Sequence, residues 1–271
     1  MENSKQYCPL CGKEKPQFFI EYINKYVYIK CECEKQKEAE ENERKRIKAI
    51  EAYINQRTKS SHIQLKDVKA DLSTLKVDKN NKFAIEAAQY MAHILLTDEY
   101  KTKAKNGLIL KGNCGSGKTY IASAIINEYN KKHPLNESAF NQIIKDINNG
   151  YINSLDVRIE SPCKIIKEDE LLRLYGRYDY RTDTSALDEF RNAKKLLVID
   201  DLGTASSDIK KIQAAYFNII DYRYSNMLPI IITTNMNNTE LKNYLGDRTY
   251  DRLNACCFSI NLISNESRRS S

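Results

Sequence analysis

The chain has 271 residues, 41% hydrophobic and 29% charged, with 43 Lys and Arg against 36 Asp and Glu. That length allows one large domain with a substantial core plus something small. No apolar run approaches the roughly 20 residues a membrane helix needs, and the polar start is no signal peptide, so a cytoplasmic protein without membrane partners is expected.

Four of the eight cysteines fall within the first 33 residues. In Cys8-Pro-Leu-Cys11-Gly12 two thiols stand two residues apart, with a glycine easing the turn. Cys31-Glu-Cys33 can complete an all-cysteine tetrahedral Zn²⁺ site. The single residue inside the second pair, where two is commoner, leaves unligated reduced thiols as the other reading. So small a unit with few large apolar residues needs a staple, which favours the metal. Between the pairs, Phe18–Ile23 and Tyr26–Lys30 read as strands joined by a turn at Asn24-Lys25. A zinc-binding module over 1–34 is the result.

Residues 35–57 are dense in Glu, Lys and Arg, with Ile47, Ile50 and Ile54 as the apolar beat. Acids and bases alternate, so this is a solvated helix rather than a nucleic-acid patch. Residues 58–80 are polar and irregular, and the whole of 35–80 reads as a charged helical linker. From Asn81 the pattern changes: Phe83, Ala87, Met91, Ile94 and Leu95 are expected along one helix face.

Gly107–Lys111 reads as a short buried strand, and it feeds Gly112-Asn113-Cys114-Gly115-Ser116-Gly117-Lys118-Thr119. This is G-x-x-x-x-G-K-[ST] without a mismatch. A helix follows, with Ile121, Ala122, Ile125, Ile126 and Tyr129 at helical spacing. The glycines let the backbone curl its N–H groups around an anion at the positive end of that helix. Lys118 then reaches the β- and γ-phosphates of a nucleoside triphosphate, and the Thr119 hydroxyl holds Mg²⁺. The stretch from His133 to Glu160 is longer than an ordinary connection. It reads as an insertion with its own helix around Phe140–Ile147.

Four more strands are expected: Cys163–Ile166, Leu196–Asp200, Ile230–Thr234 and Phe258–Ile263. Helical patterns lie between most of them, notably Ile209–Arg223. Such alternation implies a parallel sheet covered on both faces, with ligands at the carboxyl ends of its strands. There the second motif falls. Asp200, at the tip of Leu196-Leu-Val-Ile, is expected to hold Mg²⁺ through its water shell opposite Thr119, and Asp201 to polarise the attacking water. Asn235, ending Pro229-Ile-Ile-Ile-Thr-Thr, is either a strand-end cap or a group that senses the γ-phosphate. Arg248 and Arg252, four apart, share a helix face. They either pair with Asp247 and Asp251 or enter a neighbouring subunit's site as an arginine finger. Arg268 and Arg269 are a basic tail or contain a phosphate sensor. Cys163, Cys256 and Cys257 read as small core residues, and Cys114 as a loop residue.

The ordered set GNCGSGKT, LLVIDDLG, IIDYRYSNMLPIIITTN and LGDRTYDRL resembles the AAA+ replicative-helicase loaders of bacteria and phages, the DnaC/DnaI-like group, over about residues 81–269. The resemblance implies an α/β P-loop NTPase of the AAA+ type over 81–271. It would have a five-stranded parallel sheet covered by helices and no helical lid. It implies ATP and Mg²⁺ as ligands beside Zn²⁺, and a hexameric replicative helicase (DnaB-type) engaged through the N-terminal region. Single-stranded DNA and a homo-oligomer are the other implied partners. Lys118 and Thr119 become the nucleotide loop, Asp200 and Asp201 the acids, and Asn235 the first sensor. Arg252 becomes the finger in trans, with Arg248 as the alternative, and Arg269 the second sensor. Many AAA+ enzymes carry Glu where this chain has Asp201, so slow turnover is expected. An IstB-type transposition helper, acting on DNA with a transposase, shares nearly the same ATPase core and is the competing reading.

Overall fold

The structure, a computed structural model, describes residues 5–75, 77–133, 137–149, 159–176, 185–206 and 208–262. The chain divides into two compact units, Met1–Tyr53 with Leu135–Val157, and Ile54–Pro134 with Arg158–Ser271.

In the first unit β1 (Gln17–Ile20) pairs antiparallel with β2 (Lys25–Tyr28), Phe19 opposite Tyr26. The expected first strand is shorter than its apolar run. Glu21–Ile23 turns into a 3-10 helix, and Asn24 closes it at φ 51°, the left-handed conformation asparagine tolerates. Helix α1 (Glu32–Ser60) starts three residues before the expected boundary, so Cys33 lies in its first turn. The helix supplies both units, changing over at Tyr53 and Ile54.

The second unit begins with a correction. Residues 58–80, expected as the irregular end of a linker, contribute to its core: Ile63, Ala70 and Leu72 are buried. The Asn127 side-chain amide donates to the carbonyls of Val68 (3.1 Å) and Ala70 (2.9 Å), which holds the irregular backbone down. Helix α2 (Lys82–Leu96) follows, and it buries Ala84, Ile85, Ala88, Met91, Ala92, Ile94 and Leu95. Phe83, expected on that face, is 73% exposed. Steps of four residues drift by about 40° each around a helix. Phe83 and Ala87 therefore lie on the flank of the stripe that Met91 and Leu95 occupy.

Strand β3 (Gly107–Lys111) leads to α3 (Lys118–Lys132), then α4 (Glu137–Asn148), which belongs to the first unit. The chain continues through β4 (Cys163–Lys167), α5 (Glu168–Gly176), α6 (Ser185–Arg191), β5 (Leu196–Leu202) and α7 (Ile209–Ser225). It ends with β6 (Ile230–Thr234), α8 (Asn238–Leu245), α9 (Asp247–Cys256) and β7 (Cys257–Asn261). The five core strands are all parallel in the order β4-β5-β6-β3-β7. No helix follows β7 among the described residues. None of the described helices is long and apolar enough to cross a membrane.

A parallel sheet buries both faces, and the strands show it by alternation. Leu108, Leu110, Val198 and Ile231 face the cluster built on α2 and α3. Ile109, Leu197, Ile199, Ile230 and Ile232 face the cluster that contains Ile212, Tyr216, Ile219 and Ile220 of α7. Burying one such side chain stabilises by about 1.5–3 kcal/mol, so charged groups inside this layer need a reason. Arg223 is completely buried and donates to the carbonyls of Arg191 (3.0 Å), Ala193 (3.0 Å), Lys195 (3.3 Å) and Pro229 (2.7 Å). It ties the turns that enter β5 and β6, and burial pushes its guanidinium down to about 9. On the strands themselves Lys164 sits near the amino end of β4, donating to the Ser60 carbonyl at 2.7 Å, while Lys111, Lys167, Asp200 and Asp201 stand toward the carboxyl end.

Candidate nucleotide site and cysteine centre

The phosphate loop leaves β3 at Gly112, whose N–H donates to the Thr234 carbonyl at 3.2 Å. A Cβ there would lie 2.0 Å from the Leu262 carbonyl oxygen, and φ is 153°, so only glycine fits. Gly115 and Gly117 take φ 81° and 94°, and Gly117 caps α3. Asn113 and Cys114 are exposed, Ser116 buried. Helix α3 begins at Lys118, so its unpaired first-turn N–H groups open into the loop.

Lys118, only 5% exposed, donates from Nζ to the carbonyls of Gly112 (2.8 Å) and Asn113 (2.9 Å) and to Asn235 Oδ1 (2.9 Å). Its amine is therefore shared between the loop and the end of β6. Thr119 donates from Oγ1 to Asp200 Oδ1 at 2.9 Å. Four residues drawn from three separated stretches of sequence thus meet at one point. Asp200 is buried, and burial, ahead of its other influences, holds its carboxyl above the usual range. Its Oδ2 has no hydrogen-bond partner among the described residues. A buried carboxylate with one oxygen unpartnered, hydrogen-bonded through the other to a hydroxyl at a helix N-terminus, is a fitting donor set for a hard divalent cation.

Sequence reading missed Thr233. Its hydroxyl donates to Asp200 Oδ1 at 2.7 Å and accepts the Asp201 N–H at 2.9 Å, joining both acids to the end of β6. A pair of threonines closing an apolar strand was the available signal. Thr234 uses its hydroxyl on the Leu202 carbonyl at 2.7 Å. Strand β5 runs two residues past its expected end, with a register shift between Ile199 and Leu202. There Asp201 takes φ 56°, a left-handed conformation that breaks the regular alternation of the strand just after Asp200. Lys111 is also a new member of this region. Buried at the end of β3, it donates to Asn238 Oδ1 at 2.6 Å, and burial lowers its ammonium below the usual range.

The arginines are not part of this cluster. Arg252 forms an ion pair with Asp221 of α7 and lies over the rings of Phe217 and Tyr224. Arg248 lies over the same Phe217 ring at 4.8 Å, exposed and without an ion pair among the described residues. Asp247 pairs instead with Lys242 at 3.3 Å. Arg268 and Arg269 lie outside the described residues.

Far from these groups in sequence, the sulfurs of Cys8, Cys11, Cys31 and Cys33 all lie within 4.8 Å of one another. A tetrahedron with Zn–S bonds of about 2.3 Å has edges of about 3.8 Å. Cys11–Cys31 at 3.7 Å matches that edge, Cys8–Cys33 at 3.3 Å and Cys8–Cys31 at 3.2 Å are shorter, and Cys31–Cys33 at 2.7 Å is the most compressed pair. The Leu10 N–H donates to Cys8 Sγ at 3.4 Å, and Gly12 turns the chain at φ 69°. Hydrogen bonds from Cys33 and then Cys8 hold the Cys31 thiol below its usual range. Four sulfurs in this arrangement fit zinc. Cys163, Cys256 and Cys257 are buried in the other unit.

No family model and no curated protein matches the chain. Solved structures do. The crystal structure of the DnaC helicase loader is 22% identical with a TM-score of 0.54, covering 73% of this chain and 99% of that one. The crystal structure of DnaI is 23% identical with a TM-score of 0.53, over 73% and 94%. The chain shares its fold with the DnaC and DnaI structures: a five-stranded parallel sheet between helices, with the phosphate loop leaving the end of β3.

Proposed function

We propose that the protein is an ATP-dependent loader that engages a hexameric replicative helicase through its N-terminal region and delivers it onto single-stranded DNA. The observation that carries the reading is the meeting of Lys118, Thr119, Asp200 and Asn235 at the carboxyl end of the sheet. Fold likeness to loader structures is the second support.

In this reading the loop amides between Asn113 and Gly117 and the Lys118 amine bind the triphosphate, the amine exchanging the Gly112 and Asn113 carbonyls for phosphate oxygens. Thr119 and Asp200 hold Mg²⁺, which supplies positive charge against the phosphates. Asp201, unburdened by any ion pair among the described residues, accepts the proton of the attacking water. Its side chain is one methylene shorter than glutamate, consistent with slow turnover. Asn235 reports on the γ-phosphate by trading its Lys118 contact for a phosphate or water contact. Hydrolysis is completed in an oligomer by an arginine of a neighbouring copy. Arg248, exposed and without an ion pair among the described residues, is better placed for that than Arg252, whose use requires its Asp221 pair to open. The four cysteines hold Zn²⁺ as a structural ion in the region that docks the helicase.

The test is the mass of complexes formed with a replicative helicase, with a transposase, and with single-stranded DNA, each with ATP and Mg²⁺. A loader forms a defined complex with the helicase, lost when the cysteine unit is disrupted. Binding to the transposase alone makes the protein a transposition helper, and binding to neither rejects both.

A further inference from the structure

Glu168 follows β4 within Lys167-Glu-Asp-Glu170, a stretch whose sequence gives no hint of burial. Its side chain is nevertheless completely buried. Parallel pairing of β4 with β5 sets Lys167 opposite Asp200, so Glu168 emerges beside the acidic end of the neighbouring strand. Its Oε2 accepts three successive backbone N–H groups, from Gly203 (2.8 Å), Thr204 (2.7 Å) and Ala205 (2.9 Å). Its Oε1 accepts the hydroxyls of Tyr216 (2.8 Å) on α7 and Tyr244 (3.0 Å) on α8. Five donors converge on one carboxylate, which makes no ion pair among the described residues.

Three consecutive amides pointing at one anion form a nest, a turn whose path depends on the charge inside it. This nest begins two residues after Asp201. Asp201 itself is held at φ 56°, its N–H on Thr233 and its carbonyl accepting the Thr204 hydroxyl at 2.9 Å. Gly203 takes φ 100°, and a Cβ there would lie 2.5 Å from Met236 Cε. Among the described residues, the carboxylate that accepts the N–H groups of this turn is Glu168.

We infer that Glu168 is a positioning residue for the reaction: an internal anion that winds the 203–205 turn around itself, fixes the direction of the Asp201 carboxylate, and ties that turn to α7 and α8 through Tyr216 and Tyr244. Both of its carboxylate oxygens accept from protein donors, so its effect on the reaction runs through the turn. The inference rests on the ATPase reading of the phosphate-loop site, with Asp201 as the group that receives the proton.

The experiment compares Glu168→Gln with wild type in Mg-ATP turnover, nucleotide affinity and amide hydrogen exchange at 203–205, with Lys118→Ala as background. Glutamine keeps the shape but sets an amide NH₂ against a ring of donors. The expected result is a kcat at least tenfold lower with KM and ATP affinity within about threefold, and amide exchange at 203–205 at least tenfold faster. Glu168→Asp, which keeps the charge but not the reach, is expected between the two. Should Glu168→Gln fail to fold, Tyr244→Phe removes one donor from a half-exposed side, and a roughly threefold loss of kcat at constant KM is expected. A folded Glu168→Gln with wild-type kcat, or a Tyr244→Phe with wild-type kcat where the first does not fold, overturns the inference. Wild type no faster than Lys118→Ala is a different failure, since it removes the ATPase reading itself.

Discussion

The two compact units owe their order to different physics. In the phosphate-loop unit a five-stranded sheet is sealed on both faces, and its central side chains, from Leu108 to Ile232, are shut away from water. In the cysteine unit Tyr7 and Leu10, before the hairpin, and Phe18, Phe19 and Tyr26, on its two four-residue strands, are between 44% and 57% exposed, and Tyr22 in the connecting 3-10 helix is 97% exposed. So little covered apolar surface cannot offset the entropy of ordering the chain, and an isolated two-stranded hairpin is marginal in water. The comparison teaches that the phosphate-loop unit is held by its core, whereas the hairpin beside the four sulfurs has little core of its own and Ala49, Tyr53 and Ile143 supply the unit's buried apolar contacts.

That contrast breaks most visibly at the metal. Zinc at such sites contributes about 10–16 kcal/mol of folding free energy, so Cys8→Ser should abolish zinc retention and expose residues 5–31 to protease. The thermal transition of the phosphate-loop unit should move little. A joint collapse of both units, or a protected 5–31 segment without metal, would break the comparison. A smaller effect is expected from Arg223→Met, which strands the four carbonyls now capped inside the core-held unit. It should cost about 3–5 kcal/mol in denaturant unfolding, with the cysteine unit's zinc content unchanged.

The smallest effect sharpens the electrostatic side of the same unit. Lys131, followed by the Ser73 hydroxyl and amide, holds the Asp71 carboxyl well below the usual aspartate range. A depressed acid stabilises the fold fully above its ordinary value of 3.8 and loses that contribution as pH falls through its lower folded value. Asp71→Ala should therefore cost about 1 kcal/mol at neutral pH, part of it the lost cap, and the difference should shrink only in strong acid. A difference that shrinks already near pH 6 would contradict the assignment.

Much of this was legible beforehand because it is local. The phosphate loop, the two acids at a strand tip and the strand of Ile230–Thr234 carry their chemistry in consecutive residues, and the cysteine pairs do so at short spacing. The placement of Phe83 was not legible, because a stripe traced in steps of four drifts off the buried face. Residues 58–80 looked like the end of a linker because their backbone is irregular. What packs them is the side chain of Asn127, distant in sequence. Glu168 and Thr233 were hidden for the same reason: their roles exist only once parallel pairing brings β4, β5 and β6 to one end. Local spacing offers Arg252 either a pair with Asp247 or Asp251 or a role in trans; the partner it has, Asp221, lies on another helix and could not be read from that spacing.

The central claim is that this loop and these acids hold and cleave a triphosphate, and phosphate release from Mg-ATP tests it most directly. Wild type and Lys118→Ala are compared at matched, high protein concentration with single-stranded DNA present. The account predicts slow release by wild type and a fall of at least 100-fold in the variant, about 2.7 kcal/mol of lost transition-state stabilisation. Equal release by the two proteins would contradict it.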